Sequence, residues 1–557
     1  MLREHAIGAA LALSKDARDP DLGNEGYCLR IDSAGISISA NDGAGLFYGL
    51  QTLDQLLPFG KGAVAVPAID IRDWPAYRWR GIHLDSSRHF FSVPVVERYV
   101  DLAARYKLNV FHWHLTDDQG WRIQIRKYPR LTSVGACRAG SEIGGDATTI
   151  DTKRYCGFYT QAQIRAVVAY ARARYVTIVP EIEMPGHSQA AIAAYPQLAC
   201  APGPYEPRET WGISTEIYCP TEYTFAFLEN VLREVMELFP SRYIHIGGDE
   251  APKIAWENSA AVHALMRREH IKTYAGVQGY FDRRIESFLE ANGRRMIGWD
   301  EILDGGVTPA ATIMSWRGEA GGIKAAKHGN DAVMTPDGPL YFDAYQGDAG
   351  DEPQAIGSLT TPQDVYEYQP TPSALTAEQA KHVIGVQGNL WTEYVATPDY
   401  LFYMLLPRML SLSEIAWSDP HPRVWDDFAV RMGAQLPWLK QHGYNFRIPN
   451  PDFTVAGGAI RFANVSPSVR TIVAESDAPR INVAISSIVP GGAIHYTTDG
   501  TAPTAHSPVY AGPIALELAA NQRVDIQAIV ITDASRASTP SELVLTRSLP
   551  TPARLPR

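Results

Sequence analysis

Through the middle of the chain, short runs dominated by apolar residues alternate with longer stretches in which apolar positions recur every three or four residues. The first kind reads as strands buried on both faces, the second as helices with one buried face. The runs are Arg80 to Leu84, Asn109 to Leu115, Thr177 to Ile182, Tyr243 to Ile246, Arg295 to Gly298, Ala311 to Met314, Asp331 to Met334 and Val383 to Gln387. Between them, Pro94 to Lys107 puts Val96, Val100, Ala103 and Ala104 on one side. Gln161 to Arg174 follows Thr160, with Gln163 three residues on to complete a capping box. Tyr223 to Phe239, Tyr274 to Asn292 and Asp399 to Trp417 continue the helical series. About eight strand and helix units over residues 78–445 predict an α/β fold, a (β/α)8 TIM barrel with its catalytic groups beyond the C-terminal strand ends. A doubly wound open sheet is the alternative, although no Gly-rich phosphate loop follows the first strand.

The flanks have a different texture. In residues 1–77, Tyr27 to Ile31 and Gly35 to Ser39 alternate like strands, and Ala44 to Leu57 aligns Leu46, Phe47, Leu50, Leu53 and Leu57 on a helix face. This is a small α+β domain. Residues 446–557 contain no Trp and carry strand-like runs at Arg480 to Ile485, Ala493 to Thr497 and Arg523 to Ile531, with hairpin chemistry at Asp499-Gly500. They predict an all-β, sandwich-like accessory domain. The early apolar run Ala6 to Leu13 is too short for a membrane span, lacks a cleavage site and reads as a folded segment.

Composition narrows the partners. The 557 residues are 45% hydrophobic and 20% charged, with a net charge of -11 that is spread along the chain. Such a surface repels nucleic acid and anionic membrane, so a small neutral substrate is expected; oligomeric state is not encoded in these patterns. Cys200 and Cys219 bracket one Pro/Gly-rich loop, Cys137 and Cys156 another Gly/Thr-rich loop, and Cys28 is left over. Both pairs read either as disulfides, in a periplasmic or secreted protein, or as reduced packing residues in a cytoplasmic one. None has the spacing of a zinc site, and no cofactor is expected.

The chemistry gathers at the strand ends. His245-Ile246-Gly247-Gly248-Asp249-Glu250 sets two adjacent carboxylates after a Gly pair. Mutual repulsion and burial raise one pKa, which keeps a general acid protonated near neutral pH; a helix first turn is the structural alternative. Other ends carry Asp85 to Phe90, His114 to Trp121, Pro180 to His187, Trp299-Asp300-Glu301, Ser315-Trp316-Arg317, Tyr341-Phe342-Asp343 and Trp391-Thr392-Glu393. Trp faces beside carboxylates and an Arg suit a polyhydroxylated ring, with its C–H patches on indole and its hydroxyls on charge.

These motifs resemble glycoside hydrolase family 20, the β-N-acetylhexosaminidases: Gly81 to Asp85 with Ser87 to Phe90, His112 to Arg122, Pro180 to Ile182 with Pro185 to His187, and His245 to Glu250. The likeness extends to Glu25 to Tyr27 and Leu46 to Leu53, and to His495 to Gly500 near the other end. It implies an exo-acting, retaining enzyme that removes terminal β-linked GlcNAc, and GalNAc with it, by substrate-assisted catalysis through an oxazolinium ion. Two residues adjacent on an extended backbone are poorly placed to flank a sugar as nucleophile and acid, which agrees with attack by the substrate's own acetamido oxygen.

By the same resemblance, Glu250 is the general acid and base, Asp249 holds the acetamido N–H, and Tyr341 bonds the acetamido oxygen. Trp299, Trp316 and Trp391 wall in its methyl group. Arg88, Asp343 and Glu393 grip the ring hydroxyls, and Asp117 and His187 support the acid, with Asp118 a rival to Asp117. Alternatives are another family 20 activity such as a lacto-N-biosidase, a metal-dependent barrel hydrolase built on His112 and His114, and a non-catalytic glycan-binding protein.

Overall fold

The computed structural model describes residues 11–15, 19–57, 66–418, 423–456, 459–466, 468–533 and 536–548. The chain forms two compact units. The first comprises residues 1–341, 368–398 and 412–421, the second residues 342–367, 399–411 and 422–557.

The first unit begins with a four-stranded sheet of β1 (Leu11–Ser14), β2 (Tyr27–Asp32), β3 (Gly35–Ala40) and β4 (Ile69–Asp73), in the order β1-β3-β2-β4, against helix α1 (Gly43–Leu56). Leu11 to Leu13 of the early apolar run lie in β1; Ala6 to Ala10 fall outside the described residues. Tyr27, Leu29, Ile38 and Tyr48 fill this core with Trp417. The domain is tied to the first barrel strand by the fully buried Arg80. Its guanidinium pairs with Glu25 at 2.7 Å and stacks on Tyr48 and Trp417. An arginine buried this way needs both the carboxylate and the rings to replace lost hydration.

Eight parallel strands then close a barrel: β5 (Trp79–Asp85), β6 (Val110–His114), β7 (Thr177–Glu181), β8 (Tyr243–His245), β9 (Arg295–Trp299), β10 (Thr312–Ser315), β11 (Ala332–Met334) and β12 (Val383–Gly388), with β12 pairing back to β5. Each coincides with one of the apolar runs. Crossovers include α2 (Val93–Arg105), α3 (Gln161–Arg172), α4 (Glu222–Leu238), α5 (Tyr274–Ala291) and α6 (Ala320–His328). The capping box at Thr160 and Gln163 forms as expected. One expectation fails: Asp399 to Trp417 is two helices, α7 (Pro398–Leu405) and α8 (Arg408–Trp417), because Pro407 has no N–H to continue the ladder.

The barrel interior is split by the two-residue side-chain period. Toward one end Trp79, Val110, Val179, Ile297 and Ile384 pack as an apolar layer. Toward the other, strand pairing aligns Asp85 with His114, His114 with Glu181, and Glu181 with His245, a polar layer beneath the C-terminal rim.

The second unit contains two sheets. One pairs Asp452–Val455, Arg480–Ser486 and Ile514–Glu517; the other pairs Ala459–Ser466, Val469–Ser476, Ser541–Arg547, Arg523–Asp533 and Ala493–Thr497. Phe453, Ile481, Val483 and Ile485 from the first pack against Ala474, Ile526, Ala528, Leu543 and Leu545 of the second in a shared core. All three expected tail strands are present. Within this unit the buried Arg408 donates to the carbonyls of Phe342, Ala344 and Thr360 and organises residues 342–367.

Candidate active site

The loop after β8 presents the two acids. Gly247 and Gly248 adopt φ of 69° and 97°, turning the chain so sharply that Glu250 itself takes a φ of 41°. A non-glycine residue in that region is strained, and such strain collects at functional sites. At Gly247 a Cβ would stand 1.7 Å from Glu183 Oε2, so only glycine fits. Asp249 is buried; Glu250 retains 34% side-chain exposure, open to a ligand.

Between them stands His187, on the loop after β7. Its Nε2 lies 3.5 Å from Asp249 Oδ2 and 3.6 Å from Glu250 Oε2, while Nδ1 lies 3.1 Å from Asp117 Oδ1 and 3.4 Å from Asp118 Oδ2. Asp117 is the nearer of the rival pair. With carboxylate oxygens at both ring nitrogens, His187 needs both N–H groups and is a cation. Burial opposes that charge, but Asp117 and Asp249 outweigh it and hold the imidazolium well above its ordinary range. Asp117 in turn is buried yet held well below the usual carboxylate range by Arg88 and His187. Burial raises Asp249 from 3.8 to about 6, with the His187 cation pulling the other way.

Arg88, after β5, ties the layer together. It reaches Asp117 at 3.0 Å, Asp85 at 3.3 Å and Glu393 at 3.6 Å, donates its Nε–H to the Gln119 side-chain oxygen at 3.0 Å, and lies over Trp391. Burial pushes Glu393 up, against the pull of Arg88.

Aromatic rings from three strand ends form the adjoining wall. Trp316 and Tyr341 lie nearly parallel with centroids 6.2 Å apart, Tyr341 and Trp391 are 6.4 Å apart, and Trp391 and Trp299 5.8 Å. Trp316, Tyr341 and Trp391 are half-buried, whereas Trp299 is 1% exposed and forms the floor. Trp316 donates its indole N–H to Glu301 at 2.9 Å. Burial, with Asp249 adding to it, raises Glu301 to about 8.

Ten of the eleven expected site residues therefore gather in the first unit: Arg88, Asp117, His187, Asp249, Glu250, Trp299, Trp316, Tyr341, Trp391 and Glu393. Asp343 belongs to the second unit, where it is buried. Residues not given a role from the sequence are Asp85, Gln119, Glu181, Glu183 and Glu301, and His114 has one there only as a metal ligand of the alternative barrel hydrolase. The available signal was the alternate spacing of His112 with His114 and Glu181 with Glu183 on adjacent strands. The His-x-His pair faces Glu181: His114 Nδ1 hydrogen-bonds the carboxylate at 2.5 Å, His112 Nε2 stands 3.1 Å from it, and His112 Nδ1 meets the Gln387 side-chain amide at 2.9 Å.

Comparison with known proteins follows the same outline. Residues 77–420 match the model of the glycosyl hydrolase family 20 catalytic domain, residues 3–74 the same family's domain 2, and residues 476–542 the chitobiase/beta-hexosaminidase C-terminal domain. A beta-hexosaminidase of Porphyromonas gingivalis is 43% identical over 520 residues, 92% of this chain and 64% of that relative, so the chain spans under two thirds of its length. A beta-N-acetylhexosaminidase of Cellulomonas fimi is 32% identical over 77% of this chain and 82% of its own. Among solved structures, an exo beta-N-acetylglucosaminidase from Vibrio harveyi in complex with N-acetylglucosamine superposes with a TM-score of 0.70 at 34% identity, covering 78% of this chain and 69% of that one. A mutant Streptomyces plicatus beta-hexosaminidase in complex with the product GlcNAc gives 0.67 at 33% identity, covering 82% and 85%.

Proposed function

The chain belongs to glycosyl hydrolase family 20, and on that footing we propose that it is an exo-acting, retaining β-N-acetylhexosaminidase releasing terminal β-linked GlcNAc and GalNAc from oligosaccharides or glycoconjugates. The observation that carries the mechanism is the placement of His187 Nε2 between the two acids, 3.5 Å from Asp249 and 3.6 Å from Glu250. Both acids are thereby held to one side, beside an aromatic box, and the opposite face of the sugar is left to a nucleophile that the substrate brings.

In this scheme the Glu250 carboxyl gives its proton to the glycosidic oxygen as the acetamido oxygen attacks C1 and the C1–O bond breaks. Asp249, as carboxylate, accepts the acetamido N–H and balances the positive oxazolinium ion. The Glu250 carboxylate then takes a proton from water, which attacks C1 and reopens the ring, so two inversions restore the β configuration. Tyr341 bonds the acetamido oxygen while Trp316 and Trp391, above the Trp299 floor, confine its methyl group. A side arm fixed this way reacts at high effective concentration. Arg88 and Glu393 address ring hydroxyls. The two disulfides, Cys137–Cys156 and Cys200–Cys219, support a periplasmic or secreted location.

The test is a panel of aryl N-acetylglucosaminide, aryl N-acetylgalactosaminide, aryl glucoside and chitobiose. Cleavage of the N-acetylated members with the glucoside inert is expected. Comparable turnover of the glucoside would refute participation by the acetamido group.

A further inference from the structure

Behind the two acids lies a buried cluster to which the reaction scheme gives no task. His114 is fully buried, with Nδ1 at 2.5 Å from Glu181 Oε2 and Nε2 at 2.8 Å from Asp117 Oδ2. A ring with an acceptor at each end needs both N–H groups, so His114 is a second imidazolium in the layer. Burial opposes this charge, yet Glu181 and Asp117 raise the ring to about 10.

Glu181 is the branch point. Its Oε2 takes His114, and its Oε1 accepts the indole N–H of Trp299 at 2.8 Å. One arm therefore runs from Glu181 through His114, Asp117 and His187 to Glu250. The other runs through Trp299 to the aromatic wall at Trp391. Strand register sets this up: His114, Glu181 and His245 are paired neighbours across β6, β7 and β8, so Glu181 enters the barrel axis between them.

We propose that Glu181, acting with His114, is a positioning residue that holds the proton-delivering chain and the floor of the acetamido pocket in one register. The inference rests on the function proposed above. In-line attack by the side arm and protonation of the leaving oxygen occur at one carbon, so an offset between the two arms reduces rate without abolishing binding. A carboxylate bonded to both arms removes that offset. Neither His114 nor Glu181 reaches the pocket surface, since both are fully buried, so their effect passes through Asp117, His187, Trp299 and Trp391, against which the His114 ring packs edge-on at 5.0 Å.

The experiment compares wild type, H114Q, E181Q and the double variant, each with three readouts: kcat and KM on chitobiose, the same on an aryl glycoside with a good leaving group, and affinity for a thiazoline mimic of the cyclised sugar. H114Q cuts the hydrogen bonds of the acid arm and leaves the Glu181–Trp299 bond in place, so kcat on chitobiose falls about 10-fold or more while thiazoline affinity stays within about 2-fold. E181Q leaves a single neutral acceptor that cannot serve His114 and Trp299 together, so it loosens both arms and also weakens the thiazoline about 10-fold or more, and adding H114Q to it costs nothing further on chitobiose. Losses that multiply in the double variant, or an E181Q enzyme with unchanged thiazoline affinity, overturn the proposal. A measurement that needs no variant is 15N NMR of histidine-labelled wild type. His114 is expected doubly protonated at pH 7.5, and a neutral ring refutes the cluster even if E181Q does not fold. If wild type neither cleaves chitobiose nor binds the thiazoline, the functional reading fails instead, while the NMR result still reports on the cluster.

Discussion

Replacing Asp249 by Asn should make the ligand-free protein more stable and inactive, with the gain confined to the pH range where the native carboxylate is ionised. Burial raises Asp249 from 3.8 to about 6, and that value already nets the opposing attraction of His187. The folded state thus binds this proton more tightly than the unfolded chain does. Stability therefore falls as pH rises from about 4 to about 6, and above 6 the whole penalty is present. The difference corresponds to about 3 kcal/mol. Asn resembles the protonated form in size and charge, so D249N escapes the penalty at pH 8 and gains nothing at pH 4. With unfolding entropy of about 2.1 cal/mol/K per residue, a cooperative unit of roughly 350 residues converts 3 kcal/mol into a Tm rise of about 4 °C. Thermal melts of both proteins from pH 4 to pH 8 provide the assay. An equal Tm difference at both ends, or a less stable D249N at pH 8, would refute the electrostatic reasoning, because a packing effect has no such pH dependence.

Other outcomes test neighbouring parts of the site. Glu250→Gln should lose about 10²- to 10⁴-fold in kcat on chitobiose and far less on an aryl glycoside with a good leaving group; equal losses would contradict acid catalysis. Because Asp249 must be ionised to accept the acetamido N–H, kcat/KM on the aryl N-acetylglucosaminide should decline below about pH 6, and a profile flat down to pH 4.5 would deny it that role. Gly247→Ala should abolish activity, since it meets both the positive φ of 69° and the Glu183 carboxylate, whereas Gly212→Ala, on an open loop at φ of 87°, should leave the rate within about 2-fold. Replacing Cys200 and Cys219 by Ser opens a loop of sequence separation 19 and should cost about 3 kcal/mol, read as a lower Tm with kcat little changed.

The barrel was legible because its strands are buried on both faces, so each one writes a short continuous apolar run. The helices between them write the longer helical period. The break at Pro407 was also written in the chain, yet the apolar period ran across it, and a missing N–H outweighs a favourable pattern. The acids and aromatics were legible as residue types at strand ends, since a barrel collects whatever follows its strands onto one rim. Asp343, two residues beyond Tyr341, follows the same barrel strand but falls in the unit that includes the C-terminal β-strands.

By itself, then, the chain determined the alternation of elements, the closed barrel, the Gly247-Gly248 turn and the family to which its motifs belong, because these depend on local periodicity and on residues adjacent in sequence. Tertiary structure alone decided protonation. His114, Glu181, Asp117, His187 and Asp249 come from three different strands and their loops, and only strand register brings each within 3.5 Å of its neighbour in the buried interior. Charge on a buried histidine or carboxyl is set by what stands a few ångströms away, and that distance is a property of the fold.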